Sequence, residues 1–254
     1  MKTGRSLKVL ATIGAFTVLT VLFSSPAGAY IYDDFTQNPA GIDTTKWTDT
    51  GPNQGLFTHL AFSPLHFSDT AGGLQDRLIS KPINGAFFVW MPYSNFSASN
   101  STTGQGLGSS VDLFLSEGVN DNVGVWEFKN ANGLGFNGKE VVGGTSTFIP
   151  SFAPTSVTNG KLGLYYNGIM GSGGTVTLWY DSSSGWTQLY GFSTNWPSAP
   201  FIVLNGFDSF GQFLSFDITK VTIDSNAPVP EPATMLLLGS GLLGLWGARK
   251  KFKK

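Results

Sequence analysis

The sequence predicts an all-β domain folded as a β-sandwich, flanked by an apolar helix at each end of the chain. Three observations predict it. Gly, Asn, Ser and Thr are abundant, short β-branched and aromatic runs recur between them, and residues 30–226 contain no stretch with a helical period. Many short strands parted by turn residues build a sandwich or a barrel.

The strands are read from these runs. Candidates are Leu56–Phe62, Ala86–Met91, Val111–Leu115, Val123–Phe128, Lys161–Tyr166, Thr175–Tyr180, Trp186–Tyr190, Phe201–Leu204 and Phe213–Ile223. In the segment from Thr175 to Tyr180, Val176, Leu178 and Tyr180 share one face by parity, which turns Trp179 to the other face with Thr175 and Thr177. The last strand changes parity: Leu214, Phe216 and Ile218 share one face, whereas Val221 and Ile223 belong to the other register. A bulge near Thr219 and Lys220 returns both sets to the core.

The flanking segments come before and after this domain. Residues 1–29 read as a signal peptide: Lys2, Arg5 and Lys8, an apolar run from Val9 to Phe23, a break at Ser24-Ser25-Pro26, and Ala27-Gly28-Ala29, with cleavage after Ala29. The apolar run falls short of the roughly 20 residues that span a bilayer, which favours removal over anchoring. Residues 227–254 carry Pro228, Pro230 and Pro232, an apolar stretch from Ala233 to Ala248, and a basic end at Arg249, Lys250, Lys251, Lys253 and Lys254. Such an end stays in the cytoplasm under the positive-inside rule.

Charge narrows the function. Three of the 15 basic residues precede position 9 and five follow position 248, so seven remain between the flanks against fifteen acids, a net −8. An acidic body does not neutralise phosphates, which excludes nucleic acid as a partner and admits a hard cation such as Ca²⁺. The chain has no cysteine, so its stability rests on a buried core.

Two resemblances follow from these residues. Val229-Pro230-Glu231-Pro232, the apolar helix and the basic cluster resemble a PEP-CTERM sorting signal. The resemblance implies recognition by an exosortase in the inner membrane of a Gram-negative bacterium, cleavage near Glu231, and delivery to the cell surface or extracellular matrix. Tyr32-Asp33-Asp34-Phe35, Gly41-Ile42-Asp43-Thr44-Thr45-Lys46-Trp47 and the closing segment Asp217–Asp224 resemble the first and last strands of concanavalin A-like lectin and glucanase jelly rolls. That implies that these strands lie side by side. It also makes Asp33, Asp34, Asp217 and Asp224 candidate Ca²⁺ ligands.

Gly133-Leu134-Gly135-Phe136-Asn137-Gly138-Lys139-Glu140 spells a dinucleotide fingerprint, but no helix start follows and Glu140 replaces the Mg²⁺-binding hydroxyl, so it reads as a glycine-rich loop. The laminarinase-type E-x-D-x-E strand is missing: in Val111–Glu117, Asp112 and Glu117 have opposite parity. Asp121 and Glu127 read as solvated turn and strand-face acids. His59 and His66 lack metal-ligand spacing or a nucleophile motif, and read as hydrogen-bonded loop histidines. Trp90, Tyr93, Trp126, Trp179, Trp186, Tyr190 and Trp196 supply core rings or sugar-stacking platforms, and Trp179 with Thr175 and Thr177 is the candidate sugar site. The sequons at Asn95 and Asn100 read as polar loops. The sequence thus points to an exported, non-catalytic surface or matrix protein that binds polysaccharide. A glycan hydrolase with an unusual acid pair and a purely structural surface protein are the rival readings.

Overall fold

The computed structural model describes residues 29–99, 108–118, 120–150, 153–168, 173–208 and 213–225. The signal segment with Ala27, the sorting tail with Val229, Pro230, Glu231 and Pro232, and the sequon at Asn100 lie outside the described residues. Among the described residues no helix is long and apolar enough to cross a membrane.

The described strands form two antiparallel sheets packed face to face. Sheet A holds β1 (Tyr30–Asp34), β3 (Phe57–His59), β4 (Leu65–Asp69), β6 (Phe87–Ser99), β12 (Gly160–Gly168), β13 (Gly174–Asp181), β14 (Thr187–Thr194), β16 (Phe213–Ile218) and β17 (Lys220–Asp224). Sheet B holds β2 (Trp47–Asp49), β5 (Gln75–Pro82), β7 (Ser109–Gly118), β8 (Asp121–Asn130), β9 (Gly133–Val142), β10 (Thr145–Phe148), β11 (Ala153–Thr155) and β15 (Phe201–Asp208). Sheet A runs β14-β13-β12-β6-β16-β4-β3 with β17 and β1 branching from β6, and sheet B runs β10-β9-β8-β7-β15-β5-β2. A single 3₁₀ turn, Phe35–Gln37, follows β1 and is capped by Asp34, whose carboxylate accepts from the Thr36 amide at 3.1 Å.

Period-two alternation sends one face of each sheet inward. Sheet A contributes Val89, Met91, Leu162, Leu164, Tyr166, Val176 and Leu178, and sheet B contributes Val111, Leu113, Leu115, Val123, Val125, Ile202 and Leu204, all at most 2% exposed. Each aliphatic side chain buried in this way contributes about 1.5–3 kcal/mol. An aromatic group extends the core: Phe67 stacks on Phe216 at 4.9 Å, and Phe57 meets both rings edge-on.

First and last strands pair, Tyr30 with Ile223 and Asp34 with Lys220. The parity change falls at Thr219, which separates β16 from β17. Ile218 faces Tyr93 and Thr222 faces Trp90, so β16–β17 spend one residue more than β6 over this span. The extra residue is the bulge that keeps Ile218 and Val221 both fully buried.

The glycine-rich segment corrects the sequence reading. Residues 133–142 form the full strand β9, paired to β8 along its length from Asn130↔Gly133 to Asn122↔Val141. One of its glycines, Gly138, makes room for a side chain from the facing sheet. A Cβ at Gly138 would lie 2.1 Å from Leu178 of the facing sheet.

Candidate functional site

The outward face of sheet B is hollowed into a cleft of about 490 Å³, lined from β5, β15, β7, β8 and β9. Strand register builds its floor as ladders. Arg77 faces Asn205, Asn205 faces Asp112, Asp112 faces Trp126, and Trp126 faces Asn137. The next ladder runs Ile79, Val203, Phe114, Gly124 and Lys139. Gly124 has a steric purpose: a Cβ there would sit 2.0 Å from the Phe114 ring. The missing side chain lets Phe114 lie across β8 and stack on Trp126, with ring centres 6.1 Å apart and planes 27° from parallel.

Hydrogen bonds fix the polar ladder. The Asn205 amide donates to Asp112 and its oxygen accepts from Gln75 at 2.8 Å and from the Arg77 Nε at 3.4 Å. Asp112 is almost fully buried, and desolvation pushes its carboxyl up to about 6, against the opposing pull of Ser110, Asn205, Lys139 and Arg77. Desolvation also lowers the Lys139 ammonium below its ordinary value, partly offset by the attraction of Asp112. The Lys139 Nζ lies 5.9 Å from the ring centres of both Phe114 and Phe148, within cation–π range. The cleft therefore offers the Phe114 ring, with Phe201 and Phe207 also in its lining, beside amide, guanidinium and ammonium groups.

The structure distributes the sequence-predicted residues differently. Trp179 does leave the Val176 and Leu178 face, but it is only 5% exposed and its indole nitrogen is buried without a partner. An open sugar platform at Trp179 is thereby corrected, while Thr175 is exposed and Thr177 half-buried beside it. The four candidate Ca²⁺ ligands serve separate local tasks. Asp33 is buried and accepts from Asn38 at 2.6 Å, Lys46 at 3.0 Å and the Trp47 indole at 2.7 Å. Asp34 caps the 3₁₀ turn, Asp217 accepts from Asn95 at 2.7 Å and pairs with His66 at 2.7 Å, and Asp224 stands opposite Phe88 at the sheet end. Among the described residues no group of three or more His, Asp or Glu side chains is arranged to hold a metal ion.

The other acids part company as well. Asp112 lies on the cleft floor, whereas Glu117 accepts from the Ser198 amide and hydroxyl and lines a second hollow of about 480 Å³ with Asp121, Glu140 and Trp196. Glu127 is not a solvated strand-face acid: it shares the inward parity of Val123 and Val125 and is 0% exposed. Neither of its oxygens has a hydrogen-bond partner, and desolvation pushes its carboxyl up to about 8, slightly opposed by the nearby Tyr93 hydroxyl. His59 sits in a strand, with its ring nitrogens 3.0 Å from the Gly41 carbonyl and 2.7 Å from that of Phe35.

Of the seven predicted aromatics, none lines the cleft itself: Trp126, 5% exposed, lies buried against Phe114 and Phe148 and backs the Phe114 ring from below. Tyr93 and Trp196 are core rings. Trp90 and Trp186 meet edge to face at 6.2 Å on the outward side of sheet A, where Lys161 and Lys220 lie 5.9 and 5.3 Å from the Trp90 ring centre. Sequence reasoning missed Arg77, Phe114, Lys139 and Asn205 as a group. The signal was present in Phe201–Asp208, where buried Ile202 and Leu204 alternate with outward Phe201, Val203, Asn205 and Phe207.

Comparison with known proteins bears on both parts of the chain. Residues 228–251 match the PEP-CTERM protein-sorting motif. The motif marks an exported protein that an exosortase sorts to the cell envelope or surface. The fold is similar to that of xylan β-1,4-xylosidase from Bacillus halodurans C-125, with a TM-score of 0.58 and 13% identity, over 80% of this chain and 40% of that one. The present chain thus spans less than half of that enzyme. It is also similar to the carbohydrate recognition domain of Emp46p in its potassium-bound form, with a TM-score of 0.50 and 14% identity, over 78% of this chain and 97% of that one. A legume lectin-like domain from Entamoeba histolytica matches with a TM-score of 0.50 and 7% identity, over 72% of this chain and 91% of that one. At these identities the likeness shows the fold, a lectin-type and glycosidase-type jelly-roll sandwich. No curated protein matches the sequence.

Proposed function

We propose that this chain is a surface or extracellular-matrix protein of a Gram-negative bacterium whose sandwich domain binds polysaccharide, without cleaving it, in the cleft over sheet B. Signal peptidase removes residues 1–29, the C-terminal helix holds the protein transiently in the inner membrane, and exosortase processing frees it from that helix. One observation carries the binding reading: the half-buried Phe114 ring, backed by the buried Trp126, lies beside the Arg77–Asn205–Asp112 ladder in the cleft. Sugar rings present flat apolar faces edged by hydroxyls, so they match an aromatic surface bordered by amide and charged groups.

The non-catalytic reading is supported by the acids. Glycoside hydrolysis needs two carboxyls about 5–10 Å apart on either side of the bond. Among the described residues that line this cleft, Asp112 is the single carboxylate, and one of its oxygens is engaged by Asn205. The test is retention of the purified protein on immobilised polysaccharides, with reducing-sugar release followed in parallel. Retention without release supports the proposal, release that Asp112→Asn abolishes replaces it with a hydrolase, and neither retention nor release leaves the structural reading.

A further inference from the structure

We infer that the polysaccharide bound in the sheet B cleft is acidic, with uronate carboxylates received by Arg77 and Lys139. The inference rests on the cleft being the binding site and adds the class of glycan. Its starting point is a contrast of charge. The region between the flanks carries −8 with only seven basic side chains, yet two of those seven line one cleft in which Asp112 is the single acid among the described lining residues. An acidic body repels an acidic glycan at long range, so an attractive site has to supply its own cations locally.

Arg77 and Lys139 form no salt bridge among the described residues, where the salt bridges join Lys46, His66 and Lys161 to aspartates. The Arg77 guanidinium is steadied through Nε by Asn205 at 3.4 Å, which leaves its terminal nitrogens to grip a carboxylate in the two-point geometry that suits a planar fork. Lys139 is held between the Phe114 and Phe148 rings, 5.9 Å from each centre, on the far side of Asp112 from Arg77. The two cations thus stand on either side of Phe114 across the sheet. A ring resting on Phe114 presents its own or its neighbour's carboxylate to one of them. The raised carboxyl of Asp112 leaves the cleft more positive as pH falls toward 6.

Affinity electrophoresis of the purified protein tests this with two glycans, alginate and polygalacturonate, each beside its carboxyl-reduced counterpart, which keeps the rings and loses the charge. The inference predicts stronger retardation by at least one acidic glycan than by its reduced form, weakened by salt. Arg77→Gln and Lys139→Gln should each weaken acidic binding about tenfold, the worth of one charge-assisted contact. Lys220→Gln, which removes the same charge from sheet A, should leave binding unchanged. Equal retardation by acidic and reduced forms overturns the inference and keeps the polysaccharide reading. An equal loss in Lys220→Gln also overturns it, because the attraction would then be general ion exchange. No retardation by any of the four glycans, or by neutral β-glucan, removes the binding reading and the inference together.

Discussion

Replacing Glu127 by Gln should stabilise the protein. Glu127 faces the core with Val123 and Val125, is 0% exposed, and holds its proton to about pH 8 because desolvation of the anion outweighs the opposing pull of the Tyr93 hydroxyl. In the unfolded chain the same carboxyl ionises near 4.5. A raised acid pKa means that the folded state binds the proton more tightly, so stability is greatest below pH 4.5 and falls as pH rises toward 8. At about 1.36 kcal/mol per pH unit, the loss is about 3 kcal/mol at pH 7 and about 5 kcal/mol above pH 8. Gln has nearly the same shape and no proton to hold, so Glu127→Gln removes the loss while keeping a buried polar group. For a domain of this size the gain at pH 7 corresponds to roughly 6–12 °C in Tm. Calorimetry of both proteins from pH 4.5 to 8.5 checks it: the two Tm curves should meet at the acid end and diverge steadily above it. Parallel curves, or a variant less stable at pH 8, would refute the reasoning, because Glu127 would then be ionised and paired in the folded state.

Gly124→Ala places a methyl group in the Phe114 ring, so it should cost about 1–3 kcal/mol by overpacking and reduce polysaccharide retention, read by denaturant titration and column assay. Trp179→Ala should cost about 3–5 kcal/mol of unfolding free energy and leave retention unchanged, as befits a buried ring outside the cleft. Because Asp112 titrates near 6 between Arg77 and Lys139, retention of an acidic glycan should rise as pH falls from 7 to 5, and Asp112→Asn should flatten that profile. Intact mass of protein recovered from the medium or envelope should correspond to a chain from Tyr30 to about Glu231, and full-length tails in most molecules would contradict processing.

The parts of the fold that the sequence made legible depend on local alternation. The parity switch at Thr219 and the outward turn of Trp179 both follow from which neighbours are apolar, and alternation survives folding unchanged. What escaped reading was set by partners distant in sequence. Glycines in 133–138 read locally as a turn, yet Gly138 is glycine because Leu178 of the opposite sheet occupies the space of its side chain. Trp179 shows the limit of parity: alternation gives the face of a residue but not what covers it. Glu127 was misread for the opposite reason. The alternation Val123, Val125, Glu127 places it inside, but the expectation that an acid stays solvated outweighed that pattern. Four strands have to pair in register before Arg77, Asn205, Asp112 and Trp126 become neighbours, and no linear spacing encodes that ladder.

On the proposed function, polysaccharide rests on Phe114 in the cleft of sheet B. Phe114→Ala removes the half-buried stacking ring while leaving Trp126 and the polar ladder in place. Affinity electrophoresis of the purified protein and this variant through gels containing one retained polysaccharide tests it most directly. Stacking on Phe114 predicts retardation of the parent protein and its loss in Phe114→Ala, with cooperative unfolding preserved in both. Retardation of Phe114→Ala equal to that of the parent would place the binding surface elsewhere and contradict the account.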